Sequence, residues 1–274
     1  MGEQEHTRAG ATAGERRRGA VSIGLAASAG PDLVRGLAPT IEAAGFSALW
    51  VNDVPGADAL PVIAAAAAVT ERLVVATGVL PVDRRPTDEI IRAVRAAGLP
   101  ESRLVLGIGS GQAKVGALHL VRRSAHELSA ATAAPVMVGA LGPRMRRLAA
   151  EESHGPLLSW LTPDAAAAQA REARRAAAGA TVSLYVRTAF DPGARERLEQ
   201  ETVRYASFPS YAANFTRLGI EALDTVIGPG DDAAARITGY TAGVDEVVLR
   251  SIVAEDTPAH YRRFVDAAAE AAFG

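Results

Sequence analysis

The chain has 274 residues, 49% of them hydrophobic but only 5% aromatic, and a formal charge of −2 at pH 7. That length supports one α/β barrel or two smaller domains around a core of Ala, Val, Leu and Ile. The near-neutral charge gives no field to recruit nucleic acid or an anionic membrane, and the lack of cysteine excludes disulfides, thiolate metal sites and a Cys nucleophile.

Residues 1–18 are polar, with scattered Arg and Glu and no apolar h-region, and read as a disordered tail rather than a secretory signal. Apolar stretches such as 59–69 are too short to span a bilayer. A soluble cytoplasmic protein with one domain over 19–274 is expected.

Hydrophobic periodicity then alternates along the chain. Strands are predicted over 21–26, 48–51, 73–79, 104–108, 135–138, 157–160, 182–188 and 246–250. Helices are predicted over 32–44, 59–69, 87–97, 114–131, 143–152, from 163, over 192–218, and from 258 to 272. Gly45 and Gly98 close two of them, while Thr162-Pro163 and Thr257-Pro258 place an N-cap before a first-turn proline. Eight short apolar strands, each followed by helical material, fit a (β/α)8 TIM barrel. An open doubly wound sheet shows the same local pattern, but eight units ending just before the C-terminus favour closure.

In a barrel the C-terminal strand ends converge on one face, where active sites sit. Here those ends include Asn52-Asp53, Thr77-Gly78-Val79, Gly107–Gln112, Gly139–Gly142, Trp160, Arg187-Thr188 and Arg250-Ser251. The run Arg103-Leu-Val-Leu-Gly107-Ile-Gly109-Ser110-Gly111 sets three glycines at alternate positions. It reads either as a tight turn or as a floor that lets a flat or anionic ligand approach the backbone. Gly139-Ala140-Leu141-Gly142-Pro143-Arg144 offers free amides at a helix N-terminus, an anion site, or else an ordinary capped turn. Neither run is a Walker loop or a G-x-G-x-x-G fingerprint. Asn52-Asp53 suits either contact with a heterocycle edge or an Asx turn. The five histidines are scattered without ligand spacing, so no metal site is expected. Ser110 lacks the nucleophile-elbow pattern. Tyr205, Tyr211 and Asn214 either wall a pocket or pack a helix, and the residues favour packing. With no acid, base or nucleophile standing out, the pattern suits chemistry carried by a cofactor.

Gly45-Phe-Ser-Ala-Leu-Trp50-Val-Asn-Asp53, Thr70-Glu-Arg-Leu-Val-Val-Ala-Thr77-Gly78-Val79 and Arg103-Leu-Val-Leu-Gly107-Ile-Gly109 occur in that order. With Gly139-Ala-Leu-Gly-Pro-Arg-Met145 and Leu161-Thr-Pro163 they resemble the luciferase-like flavin-dependent oxidoreductases. Tyr205-Ala-Ser-Phe-Pro-Ser-Tyr211, Asn214-Phe-Thr-Arg-Leu-Gly219 and Ala242-Gly-Val-Asp-Glu-Val-Val248 look like the deazaflavin F420-dependent branch. The resemblance covers roughly 20–270. It implies a luciferase-like barrel binding F420, or FMN, at the strand ends, with a bulge and a non-proline cis peptide at Gly78-Val79. The implied cofactor contacts are Asn52, Thr77, Gly78, Val79, Gly107, Gly109, Ser110, Gly111, Gln112, Gly139, Ala140, Leu141, Gly142 and Arg144. The phosphate-bearing tail is expected by Gly107–Gly111 and the amides of residues 140–142. Asp53 and Tyr205 stand as candidate proton donors, and Trp160, Tyr211 and Asn214 as candidate substrate contacts. A homodimer is the family expectation.

Two departures matter. Sugar-phosphate-oxidising relatives carry His and Glu where this chain has Val54 and Gln112, which argues against acid/base alcohol oxidation. The segment from Gln112 to Pro135 is also short for the family. The leading expectation is an F420H2-dependent reductase of a C=C or C=N bond in a small-molecule or specialised-metabolite substrate. The alternatives are an FMN-dependent monooxygenase using O2 and a cofactor-free barrel with an assembly role.

Overall fold

Eight parallel strands close on themselves in chain order, the first pairing with both the second and the eighth. The computed structural model describes residues 18–274. The strands are β1 (Ala20–Ala26), β2 (Ala48–Asn52), β3 (Val74–Pro81), β4 (Leu104–Gly109), β5 (Val136–Gly139), β6 (Gly155–Ser159), β7 (Ser183–Thr188) and β8 (Glu246–Ser251). The helices are α1 (Pro31–Ala43), α2 (Ala59–Ala67), α3 (Thr87–Ala96), α4 (Ala117–Ala131), α5 (Pro143–Glu152), α6 (Pro163–Ala176), α7 (Arg195–Ala206), α8 (Pro209–Leu218), α9 (Ala233–Thr241) and α10 (Pro258–Phe273). The predicted tail falls, except for Arg18, outside the described residues. No helix among the described residues is long and apolar enough to cross a membrane.

Local chemistry sets the boundaries. Thr162 and Thr257 cap α6 and α10 through their side-chain oxygens, with proline at the first helical position of each. The helix predicted from 114 starts only at Ala117, because Gly116 takes φ 70 ahead of it. The single helical stretch predicted over 192–218 divides at Phe208, where Pro209 restarts the helix as α8. The sixth strand begins earlier than predicted, at Gly155, and ends before Trp160, which adopts φ 57. That left-handed conformation is costly for a bulky side chain and is held here by a fully buried indole.

Period-2 alternation divides the apolar residues into two layers. Ala48, Trp50, Ala76, Met137, Leu157, Tyr185 and Val248 fill the barrel interior, while the larger aliphatic cluster lies between strands and helices. At the N-terminal end of the interior, the Glu246 carboxylate accepts bonds from Ser22 Oγ (2.6 Å), Trp50 Nε1 (2.8 Å) and Ser183 Oγ (2.8 Å). These three donors compensate the charge taken into the barrel.

Arg103, at the head of the glycine run, has a structural role. Its guanidinium donates to Leu73 O (2.9 Å), Ala67 O (3.2 Å) and Thr70 Oγ1 (3.3 Å), tying the end of α2 to the start of β3. Hydrogen bonds to a charged group contribute about 2 kcal/mol, and each kcal/mol shifts Tm by about 2–4 °C in a chain of this size. Arg103→Met is therefore expected to lower Tm by about 4–8 °C in a thermal melt.

Candidate active site at the barrel mouth

Following the inward-facing parity of each strand to its C-terminal end gives Asn52, Gly78, Gly109, Gly139, Ser159, Arg187 and Arg250. All seven line one cleft of about 460 Å³. A second cavity of about 370 Å³, bounded by Phe190, Ile252 and Phe264, opens beside α10 and gathers none of these strand ends.

The β3–β5 side is built by a bulge. The β3–β4 register shifts between Thr77 and Leu80, and the Gly78–Val79 peptide is cis. Val79 then turns toward the mouth and packs on the interior cluster. A Cβ at Gly109 would lie 2.7 Å from Val79 Cγ2, and one at Gly139 would lie 3.1 Å from Val79 Cγ1. These glycines make room for Val79, and together they form a smooth wall. Behind the bulge, a Cβ at Gly78 would meet the Tyr185 hydroxyl at 2.2 Å. That hydroxyl is buried and has no hydrogen-bond partner among the described residues, and burial pushes its pKa well above the usual phenol range. Asn52 braces the bulge: its Nδ2 donates to Gly78 O, and its Oδ1 accepts from Arg250 Nε at 2.9 Å.

Several predicted cofactor contacts sit elsewhere. Thr77 is buried and donates through Oγ1 to Gly107 O (3.0 Å). Gly107 lies below the cleft, where a Cβ would meet Thr77 O at 2.0 Å. Gln112 is exposed away from the lining, and its amide donates to Asp83 Oδ2 (2.8 Å). Ser110, Gly111, Ala140, Leu141 and Gly142 do line the cleft. Gly142 adopts φ −86, an extended conformation open to any residue. The Ala140 amide is bonded to Leu157 O (3.0 Å), leaving those of Leu141 and Gly142 without a backbone acceptor among the described residues. Arg144 points to solvent, and the arginine that braces this loop is Arg146. It donates to Leu141 O (3.0 Å) and pairs with Glu172 (2.6 Å).

The opposite side is aromatic and charged. Arg187, only 6% exposed, lies 4.3 Å from the Trp160 ring centroid and 4.8 Å from that of Tyr205. Its Nε donates to Glu201 Oε1 at 3.2 Å. Burial alone would raise the Glu201 carboxyl, but the Arg187 and Arg250 charges beside it prevail and hold it below the usual range. Tyr205 and Tyr211 meet edge to face at 5.1 Å, and both line the cleft. Trp160 packs behind them, outside the lining. Asn214 is also buried outside it, its Oδ1 accepting from Arg217. Asp53 lines the opposite edge with Val54; burial raises its carboxyl, opposed by the Ala59 amide. No cluster of three metal-ligating side chains occurs among the described residues.

Sequence reasoning placed Arg187 and Arg250 only as strand ends and passed over Glu201 and Tyr185. Glu201 lies 14 residues after Arg187 on α7, and nothing in that spacing signals the pair. Tyr185 sits in an apolar strand and reads as core.

Residues 18–120 match the family model described as luciferase-like monooxygenase. No curated protein matches the sequence. Among solved structures, the coenzyme F420 dependent tetrahydromethanopterin reductase from Methanopyrus kandleri superposes with a TM-score of 0.71 at 14% identity, covering 93% of this chain and 99% of that one. A monooxygenase from Streptomyces bottropensis gives 0.69 at 16% identity over 92% and 98%. The oxygenating constituent of 3,6-diketocamphane monooxygenase from Pseudomonas putida, in complex with FMN, gives 0.62 at 16% over 88% and 95%. The chain is a closed eight-stranded (β/α)8 barrel whose first four strands match the luciferase-like monooxygenase model.

Proposed function

We propose that the chain is an F420H2-dependent reductase delivering hydride to a C=C or C=N bond of a small molecule. The observation that carries the reading is the asymmetry of the mouth. A smooth wall of Val79, Gly109 and Gly139 faces a charged, aromatic one, and the orphaned Tyr185 hydroxyl lies under the bulge between them. A planar deazaflavin ring fits against the smooth wall. The Leu141 and Gly142 amides offer donors to an anionic tail. Reduced F420, when bound, supplies a hydride.

The chain's own residues position and protonate. Asn52 holds the Gly78 carbonyl in place, and Tyr205 and Tyr211 exclude water from the opposite wall. Neither carboxylate is placed as a free base: Glu201 is locked to Arg187, and Asp53 is bonded at the edge. Delivery of hydride to an activated bond needs mainly positioning and a proton. The Tyr205 phenol is the donor within the lining, and Asp53, beside Arg84, stands at its edge. Two of the structural neighbours are described as F420-dependent, which supports the cofactor class.

The test is titration of the protein with F420 and with FMN, followed by turnover assayed as loss of F420H2. F420 is expected to bind in preference to FMN and to be consumed only with an acceptor present. FMN binding with oxygen uptake would replace this reading with the monooxygenase that the family description favours. No binding of either cofactor at micromolar concentration would leave the cofactor-free barrel. Gly78→Ala sets a methyl against the Tyr185 hydroxyl, where overpacking costs about 1–3 kcal/mol. By shifting the bulge that carries Val79, it is expected to weaken F420 binding as well. The same titration reads that loss.

A further inference from the structure

The geometry points to a carboxylate-binding subsite on the β7–β8 side of the cleft, built on Arg187 and Arg250, that selects planar unsaturated or aromatic carboxylates as substrates. The inference rests on the cleft being the site of a bound ring cofactor, as proposed above.

Arg187 is more than nine-tenths buried, yet its one side-chain hydrogen bond among the described residues leaves from Nε, toward Glu201. Its two terminal nitrogens take no acceptor there, and they are not among the sealed, unpartnered atoms of the interior. They remain open to the cleft that the residue lines. A buried guanidinium with its outer edge free presents a planar pair of N–H donors, which matches a carboxylate. Arg250 adds to this. Its Nε is committed to Asn52 and its Nη1 to Ser251 O, while Nη2 has no acceptor among the described residues.

Charge agrees with geometry. Glu201 stands among three cations on this side, bonded to Arg187, 4.0 Å from Arg204 and close enough to Arg250 to feel its charge. Asp256 also lies close enough to Arg250 to feel its charge but is paired with Arg197 at 2.7 Å, so two carboxylates face four guanidiniums, and a substrate anion would reduce the excess. Across the cleft, Asp53 has Arg84 at 3.5 Å, so the surplus is confined to the β7–β8 side. The flat walls of Tyr205 and Tyr211 ask for a planar body attached to the anion. A carboxylate on Arg187 would leave the conjugated bond pointing toward the Val79–glycine wall.

The probe is benzoate, with benzamide as its neutral isostere, each titrated calorimetrically into the F420-loaded protein. Loss of a charge-assisted pair corresponds to about a tenfold change in affinity. Benzoate is therefore expected to bind at least about tenfold more tightly than benzamide, and Arg187→Lys, which keeps charge but loses the fork, is expected to remove most of that preference. The double variant Arg187→Gln/Glu201→Gln, which strands no lone charge, is expected to abolish it while F420 affinity stays unchanged. Equal binding of benzoate and benzamide, no benzoate binding, or a preference that survives both variants would overturn the inference. So would competition between benzoate and F420, since the arginines would then hold the cofactor's own anion. Failure of F420 to bind the wild-type protein would instead overturn the cofactor reading, and benzoate binding to the free protein would still test the subsite.

Discussion

Gly107→Ala is expected to destabilise the protein by about 3 kcal/mol, at the upper end of the usual overpacking range, and to lower Tm by about 6–12 °C. A Cβ at this position would sit 2.0 Å from Thr77 O and 3.1 Å from Thr77 C. Both are backbone atoms of the neighbouring strand, so no side-chain rotation relieves the clash. Thr77 is held in place by its own hydroxyl, which donates to Gly107 O. Leu106 also pairs with Thr77 in the ladder immediately before the bulge. Relief would require β3 and β4 to separate where the mouth is formed. Gly142→Ala is the matched control. Nothing lies within 4 Å of its added methyl and its backbone is extended, so Tm should stay within the change of about 0.5 kcal/mol typical of unconstrained positions. A thermal melt of the two variants decides between two roles for Gly107. If it served as ligand floor, Gly107→Ala would melt like wild type and lose only cofactor affinity.

The same contrast explains how far the sequence could be read. The barrel was legible because each strand is a short apolar run punctuated by Gly, Pro or an N-capping Thr, and those local signals agree with the tertiary structure. The smooth side of the mouth was legible as a glycine pattern, but the reason for each glycine was not. Gly109 and Gly139 accommodate Val79, Gly107 accommodates a carbonyl, and Gly111, at φ 58, sits against the Asp83 carboxylate. A sequence shows where a Cβ is missing; it does not show what occupies the space. The charged side was harder to read, because its meaning lies in pairing across elements. Arg187 and Arg250 appear as strand ends, yet Glu201 comes from α7 and Asn52 from β2, on the other side of β1 from Arg250. Arg144, chosen for its position after Gly-Pro, faces solvent, while Arg146 two residues later faces inward, since residues two apart lie about 200° around a helix axis at 3.6 residues per turn.

Glu201→Leu is expected to cost about 3 kcal/mol, because removing one member of a buried pair leaves the other charge uncompensated. The Glu201 side chain is 16% exposed and that of Arg187 7%, so little water is available to solvate the arginine left behind. Arg187→Met/Glu201→Leu should cost less than the sum of the single changes, since the pair disappears together and aliphatic bulk remains. Denaturant melts of the three variants give the coupling directly, and strict additivity would show that the contact contributes nothing. The pH dependence supplies an independent check. The Glu201 carboxyl is held below its ordinary value by the Arg187 and Arg250 charges and the Arg187 hydrogen bond, against the opposing pull of burial. A depressed folded-state value means the unfolded chain takes up the proton first as pH falls. The stabilisation is therefore complete above the unfolded carboxyl value of about 4.3 and is lost as pH drops through the lower folded value. Wild-type stability should accordingly fall more steeply below about pH 4.3 than that of Glu201→Gln, and the two curves should converge in acid. Parallel curves would place the charge pair outside the forces that hold the charged side of the mouth, and Arg187 would then be fixed by its contacts with Trp160 and Tyr205 alone.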